Sequence, residues 1–310
     1  SDVAKVALIR LLAVAIAGLT LADVSLVVTS TRIQHAASWR ARLSEWLAAY
    51  PPRWTVLAAI GLLAVASVSA LSSPFGDVAL RGFEEGRDGY SLLSFWSVIV
   101  VFLAIAFRAH SEAMIDRVLV AIVAATILTS LYGILQAIGV DPWGGGSPSS
   151  RALSSFGNPI FFGSFIVQGL PITMYMSVRI IQRNHAWTSV LTSAMMLAIP
   201  AVALALTLAR GPWVGAAVGT AIFVVAATTL LPSRVRRLYF ATLVGSAVIT
   251  LAFLSVIRLP ATGSWALGST LDRVGSMPGV TVGGISGRLG IWQGALRMSL
   301  SRPWFDQPMG

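Results

Sequence analysis

Long unbroken apolar runs alternate along this 310-residue chain with short segments in which the arginines collect. Eight such runs can be delimited, at residues 6–29, 54–71, 92–107, 118–138, 160–178, 187–208, 213–231 and 238–257. A bilayer demands about 20 apolar residues from a helix that crosses it. Backbone groups in lipid must be satisfied internally, which leaves α-helices or closed barrels. A barrel strand alternates apolar with polar positions. These runs do not alternate, so they predict an all-α, polytopic transmembrane helix bundle of about eight spans over residues 1–258. Pro171 and Pro200 fall inside spans, where neighbouring helices tolerate a kink. Frequent Gly, Ala and Ser suit close helix packing in lipid. No internal repeat is visible. Residues 259–310 are richer in Gly, Ser and Pro and read as an external segment. It carries one amphipathic stretch, 288–300, in which Leu289, Ile291, Trp292, Leu296 and Met298 are apolar and Arg288, Gln293 and Arg297 are polar. Two readings of that stretch stay open: a helix lying in the membrane interface, or one packing over an active site.

Composition sharpens the class. Apolar residues make up 56% of the chain and charged residues only 11%, too few to cover a water-soluble surface. Cysteine is absent, which excludes disulfides and thiolate metal sites. The net charge is +10, and Lys5 is the only lysine. Because the arginines sit between apolar runs, they read as membrane topology and anionic-lipid contacts, not as a nucleic-acid surface. Alternate connections (30–53, 108–117, 179–186 and 232–237) hold 11 arginines in 48 residues, and the opposite set holds 9 in 98. The denser side is expected to be cytoplasmic. The chain's N-terminus then falls outside, an unusual start that suggests a missing first helix and hence a fragment. No cleavable signal peptide is expected, since Asp2 and Lys5 run straight into an apolar segment.

Three external arginines stand beside helix-breaking elements. Arg151 precedes Phe156-Gly157-Asn158-Pro159, where Asn158 is a good N-cap and Pro159 a good first helical residue. That helix would open outward with free N–H groups and the positive end of its dipole, a ready anion site. Arg210 lies in the turn Leu208-Ala209-Arg210-Gly211-Pro212-Trp213, with Pro212 expected to start the next helix. Arg288 follows Ser286-Gly287, with Ser286 a candidate N-cap. Arginine suits phosphate because its planar fork binds two oxygens and keeps its charge. The competing reading is side chains snorkelling to headgroups. Three at helix starts on one face favour a shared anionic ligand. Arg81 and Arg273 are also external but lie outside these motifs, and read as controls.

Other candidates are weaker. Asp23 lies inside the first run. Glu84, Glu85 and Asp88 form an acidic loop that reads as solvated. His35, His110 and His185 all fall in the connections expected to be cytoplasmic, without metal-ligand spacing. No metal or cofactor is called for, and no phosphate-loop or dinucleotide fingerprint is present.

Four segments resemble the O-antigen ligase superfamily, which also holds O-antigen polymerases and proteins once linked to inorganic-carbon uptake. Arg151 through Phe156-Gly157-Asn158-Pro159 is similar to the family's Arg…FGNPN element. Thr207-Leu208-Ala209-Arg210-Gly211-Pro212-Trp213 is similar to T-L-S-R-G-A-W. Ser286-Gly287-Arg288-Leu289-Gly290-Ile291-Trp292 is similar to S-G-R-x-x-I-W, and Arg302-Pro303-Trp304-Phe305 to the H/R-P-L-x-G that follows. Gly82 through Gly89 resembles an external loop of one branch. These segments cover most of the chain in the family's order. The resemblance implies transfer of a glycan from undecaprenyl pyrophosphate to lipid A-core or another glycan, outside the bacterial cytoplasmic membrane. Residues matching Arg151, Arg210 and Arg288 would hold the pyrophosphate, with Asn158, Pro159 and Gly211 supporting them.

Two departures stand out. The family's G-x-G-x after the last motif is replaced by Asp306-Gln307-Pro308-Met309-Gly310. Its catalytic histidine lies in the external loop beyond this point, so the general base is expected past residue 310. The rival readings are a transporter of the same superfamily and an inactive fragment. A transporter would want mid-membrane acids and an inverted repeat.

Overall fold

A computed structural model describes residues 53–82, 91–108, 112–141, 151–276, 289–298 and 300. Its elements are helices α1 (Arg53–Leu71), α2 (Gly76–Arg81), α3 (Leu92–Arg108) and α4 (Glu112–Ala137), a 3-10 turn at Ser154–Phe156, then α5 (Pro159–Arg183), α6 (Trp187–Leu206), α7 (Arg210–Leu230), α8 (Ser233–Val256) and α9 (Ala266–Gly275). Residues 289–298 are also helical. Among the described residues the sole extended pairing is an isolated bridge between Arg258 and Trp265.

Helices α4 to α8 are each long and apolar enough to cross a bilayer. At a rise of about 1.5 Å per residue, 20 residues span the roughly 30 Å hydrocarbon layer. This is a helical membrane protein with five such spans among the described residues, where about eight were expected. The runs at 54–71 and 92–107 form the shorter apolar helices Thr55–Leu71 and Leu92–Ala106. The run at 6–29 and Asp23 lie outside the described residues. The apolar face of the bundle is bare: Leu128 is 66% exposed, Ile222 67% and Val225 63%. Water would penalise so continuous an apolar surface by about 25 cal/mol per Å²; lipid does not.

Several helices outrun their apolar cores. α4 begins at Glu112, ahead of the expected Val118, and α8 at Ser233, ahead of Leu238. Both extensions carry charge (Asp116; Arg234, Arg236 and Arg237) and are helical because nothing in them breaks a helix. Pro171 and Pro200 are accommodated inside α5 and α6.

The chain divides into two compact units, Ser1–Ile115 with Ile291–Gly310, and Asp116–Gly290. In the first, α1 packs on α3, and Trp96 Nε1 donates to Ser67 Oγ at 3.2 Å. Ser67 Oγ in turn donates to Leu63 O at 2.7 Å.

In the second unit α5 packs against α6, α7 and α8, and α6 lies along α8. Lipid removes the hydrophobic drive between helices, so close approach must do the work. Small residues allow it. A Cβ on Gly169 would collide with Thr126 Oγ1 of α4, and one on Gly163 would sit 2.7 Å from Pro212 Cβ of α7. Three of the buried hydroxyls bond within their own helices: Thr126 donates to Ile122 O at 2.8 Å, Thr173 to Gly169 O at 2.9 Å and Ser177 to Thr173 O at 2.8 Å. Apolar side chains form two clusters. One holds Phe162, Ile166, Val202, Ala203, Leu206, Leu254 and Leu259, and the other Met174, Val178, Ile181, Leu197, Val235 and Tyr239.

At the end of the unit expected to be cytoplasmic, Asp116 pairs with Arg179, and Arg183 Nη2 lies 3.6 Å from its other carboxylate oxygen. Arg179 also lies over the Tyr175 ring at 5.8 Å.

At the opposite end, α4 stops in a Schellman cap. Gly139, at φ +86°, donates to Gln136 O at 3.0 Å, and Val140 donates to Leu135 O at 2.9 Å. Pro260 packs on this glycine, its Cγ 3.2 Å from where a Cβ would stand.

Candidate anion site at one end of the bundle

The site is built around the turn between α6 and α7. Thr207 closes α6 with two hydrogen bonds to its own helix: its N–H donates to Ala203 O at 3.1 Å and its Oγ1 to Leu204 O at 2.6 Å. The same Oγ1 accepts from Ala209 N at 3.2 Å. Between them Leu208 is left-handed, at φ +49°. A branched side chain in that region costs about 1–3 kcal/mol and persists only where its surroundings impose it. Trp213 Nε1 donates to Leu204 O at 2.8 Å and pins the far side of the turn.

The strained turn presents the Thr207 and Leu208 carbonyls past the negative end of the α6 dipole, where cations are favoured. Arg151 takes both, donating from Nε to Thr207 O at 2.8 Å and from Nη2 to Leu208 O at 3.1 Å. The chain beside it is tied to the same helix end, with Ala152 N donating to Leu206 O at 2.9 Å. Ser154, at φ +52°, sends its hydroxyl to Thr129 O at 2.8 Å.

A second arginine reaches the same carbonyl. Arg273 of α9 donates from Nε to Leu208 O at 3.2 Å. Burial, and then the charge of Arg273, hold the Arg151 guanidinium below the usual arginine range, though far too high for it to lose its proton near neutrality. Arg210 opens α7, the helix end where a cation opposes the dipole. Its Nη2 donates to Ser276 Oγ at 2.6 Å, and Ser276 Oγ donates on to Arg273 O at 3.0 Å. Arg210 Nε is buried and has no hydrogen-bond partner among the described residues. Arg151, Arg210 and Arg273 therefore form one bonded network through Leu208 O and Ser276.

Two helix N-termini adjoin it. Asn158 caps α5, its side-chain oxygen accepting from Ile160 N at 2.8 Å, with Pro159 as the first helical residue. The contact of Gly163 with Pro212 sets the opening turns of α5 and α7 side by side. α7 itself starts at Arg210, two residues before the expected Pro212, because Ala209 is extended and Pro212 fits the first turn without its N–H. Beside Gly211 there is open space; a Cβ there meets nothing within 4 Å.

The structure thus joins Arg151 with Arg210, and sets the cap formed by Asn158 and Pro159 beside the α7 start that holds Gly211. Arg288, its candidate cap Ser286, and the acidic loop of Glu84, Glu85 and Asp88 lie outside the described residues, as do His35 and His110. His185 sits between α5 and α6, at the other end of the bundle. One expectation is corrected: Arg273 is not a bystander but a member of the cluster. Its place is hidden in the sequence because α9 lies in a segment rich in Gly, Ser and Pro. Ala266, Leu267, Thr270, Leu271 and Val274 do recur at helical spacing, a signal obscured by the Gly and Ser around them. Among the described residues no group of His, Cys, Asp or Glu could hold a metal ion.

No family model, no curated protein and no solved structure matches this chain.

Proposed function

We propose that this chain binds the pyrophosphate of an undecaprenyl-linked glycan on the outer face of the bacterial cytoplasmic membrane. In that reading it belongs to an enzyme of the O-antigen ligase or polymerase type that passes the glycan to a glycan or glycolipid acceptor. The observation that carries the reading is the bonded arginine network at one end of a lipid-facing bundle, with an unmatched buried donor on Arg210. Cations gathered against their mutual repulsion are stabilised by a multivalent anion.

In the transfer, an acceptor hydroxyl attacks the anomeric carbon as the bond to the pyrophosphate oxygen breaks. The electron pair leaves with the pyrophosphate. Preorganised donors aimed at that growing charge lower the barrier. The acceptor's proton requires a general base.

The test is equilibrium binding to the purified protein in lipid nanodiscs. Undecaprenyl pyrophosphate should bind at least ten-fold more tightly than the monophosphate, and the preference should shrink as salt rises. Equal, weak binding of both would end the reading.

The outer-face assignment has its own test. The chain lacks cysteine, so single cysteines report cleanly. Thr262→Cys, in the connection after α8, should react with an impermeant maleimide on intact cells, and Ser233→Cys, at the start of α8, should not. The reverse pattern would put the arginine cluster on the wrong side for the proposed donor.

A further inference from the structure

We infer that α9 is a ligand-binding arm of this site, with Arg273 and Ser276 contacting the same diphosphate group as Arg210 and Arg151. The inference rests on the pyrophosphate reading and adds to it a binding element the sequence motifs do not contain.

The geometry of α9 argues for it. The helix springs from a short hairpin at the end of α8. Ala266 N donates to Ile257 O at 2.9 Å, Leu259 N to Ser264 O at 2.8 Å, and Gly263 turns the chain at φ +66°. Arg258 braces the hairpin, donating to Gly263 O at 3.0 Å and lying over the Trp265 ring at 5.9 Å. Ala266 is fully buried and Leu267 packs on the same cluster as Phe162 and Leu206. The base of α9 is therefore fixed, and it delivers its last turn to the α6–α7 turn.

What arrives there is polar and cationic. Arg273 spends Nε on a carbonyl that Arg151 already uses. A carbonyl carries no net charge, so it orients the Arg273 guanidinium without neutralising it. Neither Arg210 nor Arg273 takes part in an ion pair among the described residues. Ser276 adds a hydroxyl that already bonds Arg210 and can also accept or donate to a phosphate. The opposite face of α9 presents exposed Leu271 and Val274. One short helix thus offers phosphate-binding groups on one side and an apolar side suited to the membrane interface, a match for a diphosphate that carries a lipid chain.

The test compares Arg273→Gln, Arg273→Lys, Ser276→Ala and Arg210→Gln with the unaltered protein in nanodiscs. Arg81→Gln serves as control, because Arg81 sits on α2, its Nε 3.7 Å from exposed Asp77. The probes are undecaprenyl pyrophosphate and undecaprenyl phosphate, and melting temperature is followed in parallel. Arg273→Gln should weaken pyrophosphate binding about ten-fold, the size of one lost charge-assisted hydrogen bond. It should narrow the preference over the monophosphate, and lysine should restore part of it. Ser276→Ala should have a smaller effect in the same direction. If Arg210→Gln lowers affinity and Arg273→Gln does not, the role of α9 is refuted while the pyrophosphate reading stands. If every Arg273 variant loses melting temperature and binding of both probes alike, α9 is structural and the inference fails. If the unaltered protein shows no preference for the diphosphate, both readings fall together.

Discussion

Arg210→Ala should lower affinity for undecaprenyl pyrophosphate by roughly ten- to a hundred-fold while leaving the melting temperature nearly unchanged. Removing a charge-assisted hydrogen bond amounts to about 1.5–3 kcal/mol, and each 1.4 kcal/mol is ten-fold in binding. Among the described residues Arg210 makes one side-chain bond, to Ser276, and holds its Nε unmatched at the unfavourable end of a helix dipole. Little folding energy is therefore at stake. Lysine in its place keeps the charge and loses the fork, so it should fall between arginine and alanine.

Arg151 should behave differently. A water-facing arginine contributes little to packing, but this one is half-buried on two carbonyls at the end of α6. Arg151→Ala leaves Thr207 O without its cationic donor and Leu208 O with Arg273 alone, and should lower stability as well as binding. Isothermal titration and thermal denaturation on the same preparations separate the two effects. A parallel loss of stability at Arg210 and Arg151 would show that both serve the α6–α7 turn and neither serves a ligand.

The second large effect is expected at Gly169. Its Cα faces Thr126 so closely that a Cβ would overlap the hydroxyl and stand 3.0 Å from Cγ2. Thr126 is fully buried and cannot swing away. Gly169→Ala must therefore part α4 from α5, at about 1–3 kcal/mol, and Gly169→Leu should exceed that. Thr126→Ala removes the two colliding atoms, so the double variant should recover much of the loss. Neighbours that share a contact show coupling of about 0.5–3 kcal/mol. Strict additivity of the two alanine substitutions in thermal denaturation would mean that the helices do not meet here.

Some of this was legible in the residues alone. The runs at 118–138 through 238–257 announced α4 to α8, because a lipid environment writes itself as continuous hydropathy. Asn158-Pro159 gave the start of α5 because capping is local chemistry. Helix ends were less legible where the helix left the apolar layer. Glu112 to Asp116 and Ser233 to Arg237 are helical but carry charge, and hydropathy measures the solvent, not the backbone. The partnership of Arg151 with Arg210 was suggested by motif and is physically a matter of one turn. Arg273 was beyond reach: its place depends on a hairpin fixed by Ile257, Leu259 and Ala266, and on a left-handed Leu208 that no local rule demands of a leucine.

The shared carbonyl of Leu208 also sets an order of events. Ribosomal synthesis delivers Arg151 first, its acceptor on Leu208 57 positions later, and Arg273 a further 65 positions on. By the time the last of the three emerges, α4 to α8 have all been made. The cluster is complete only after those five helices have been made. Substitutions within it should leave the membrane threading of the nascent chain intact, so the labelling pattern at positions 233 and 262 can certify each binding variant as correctly inserted.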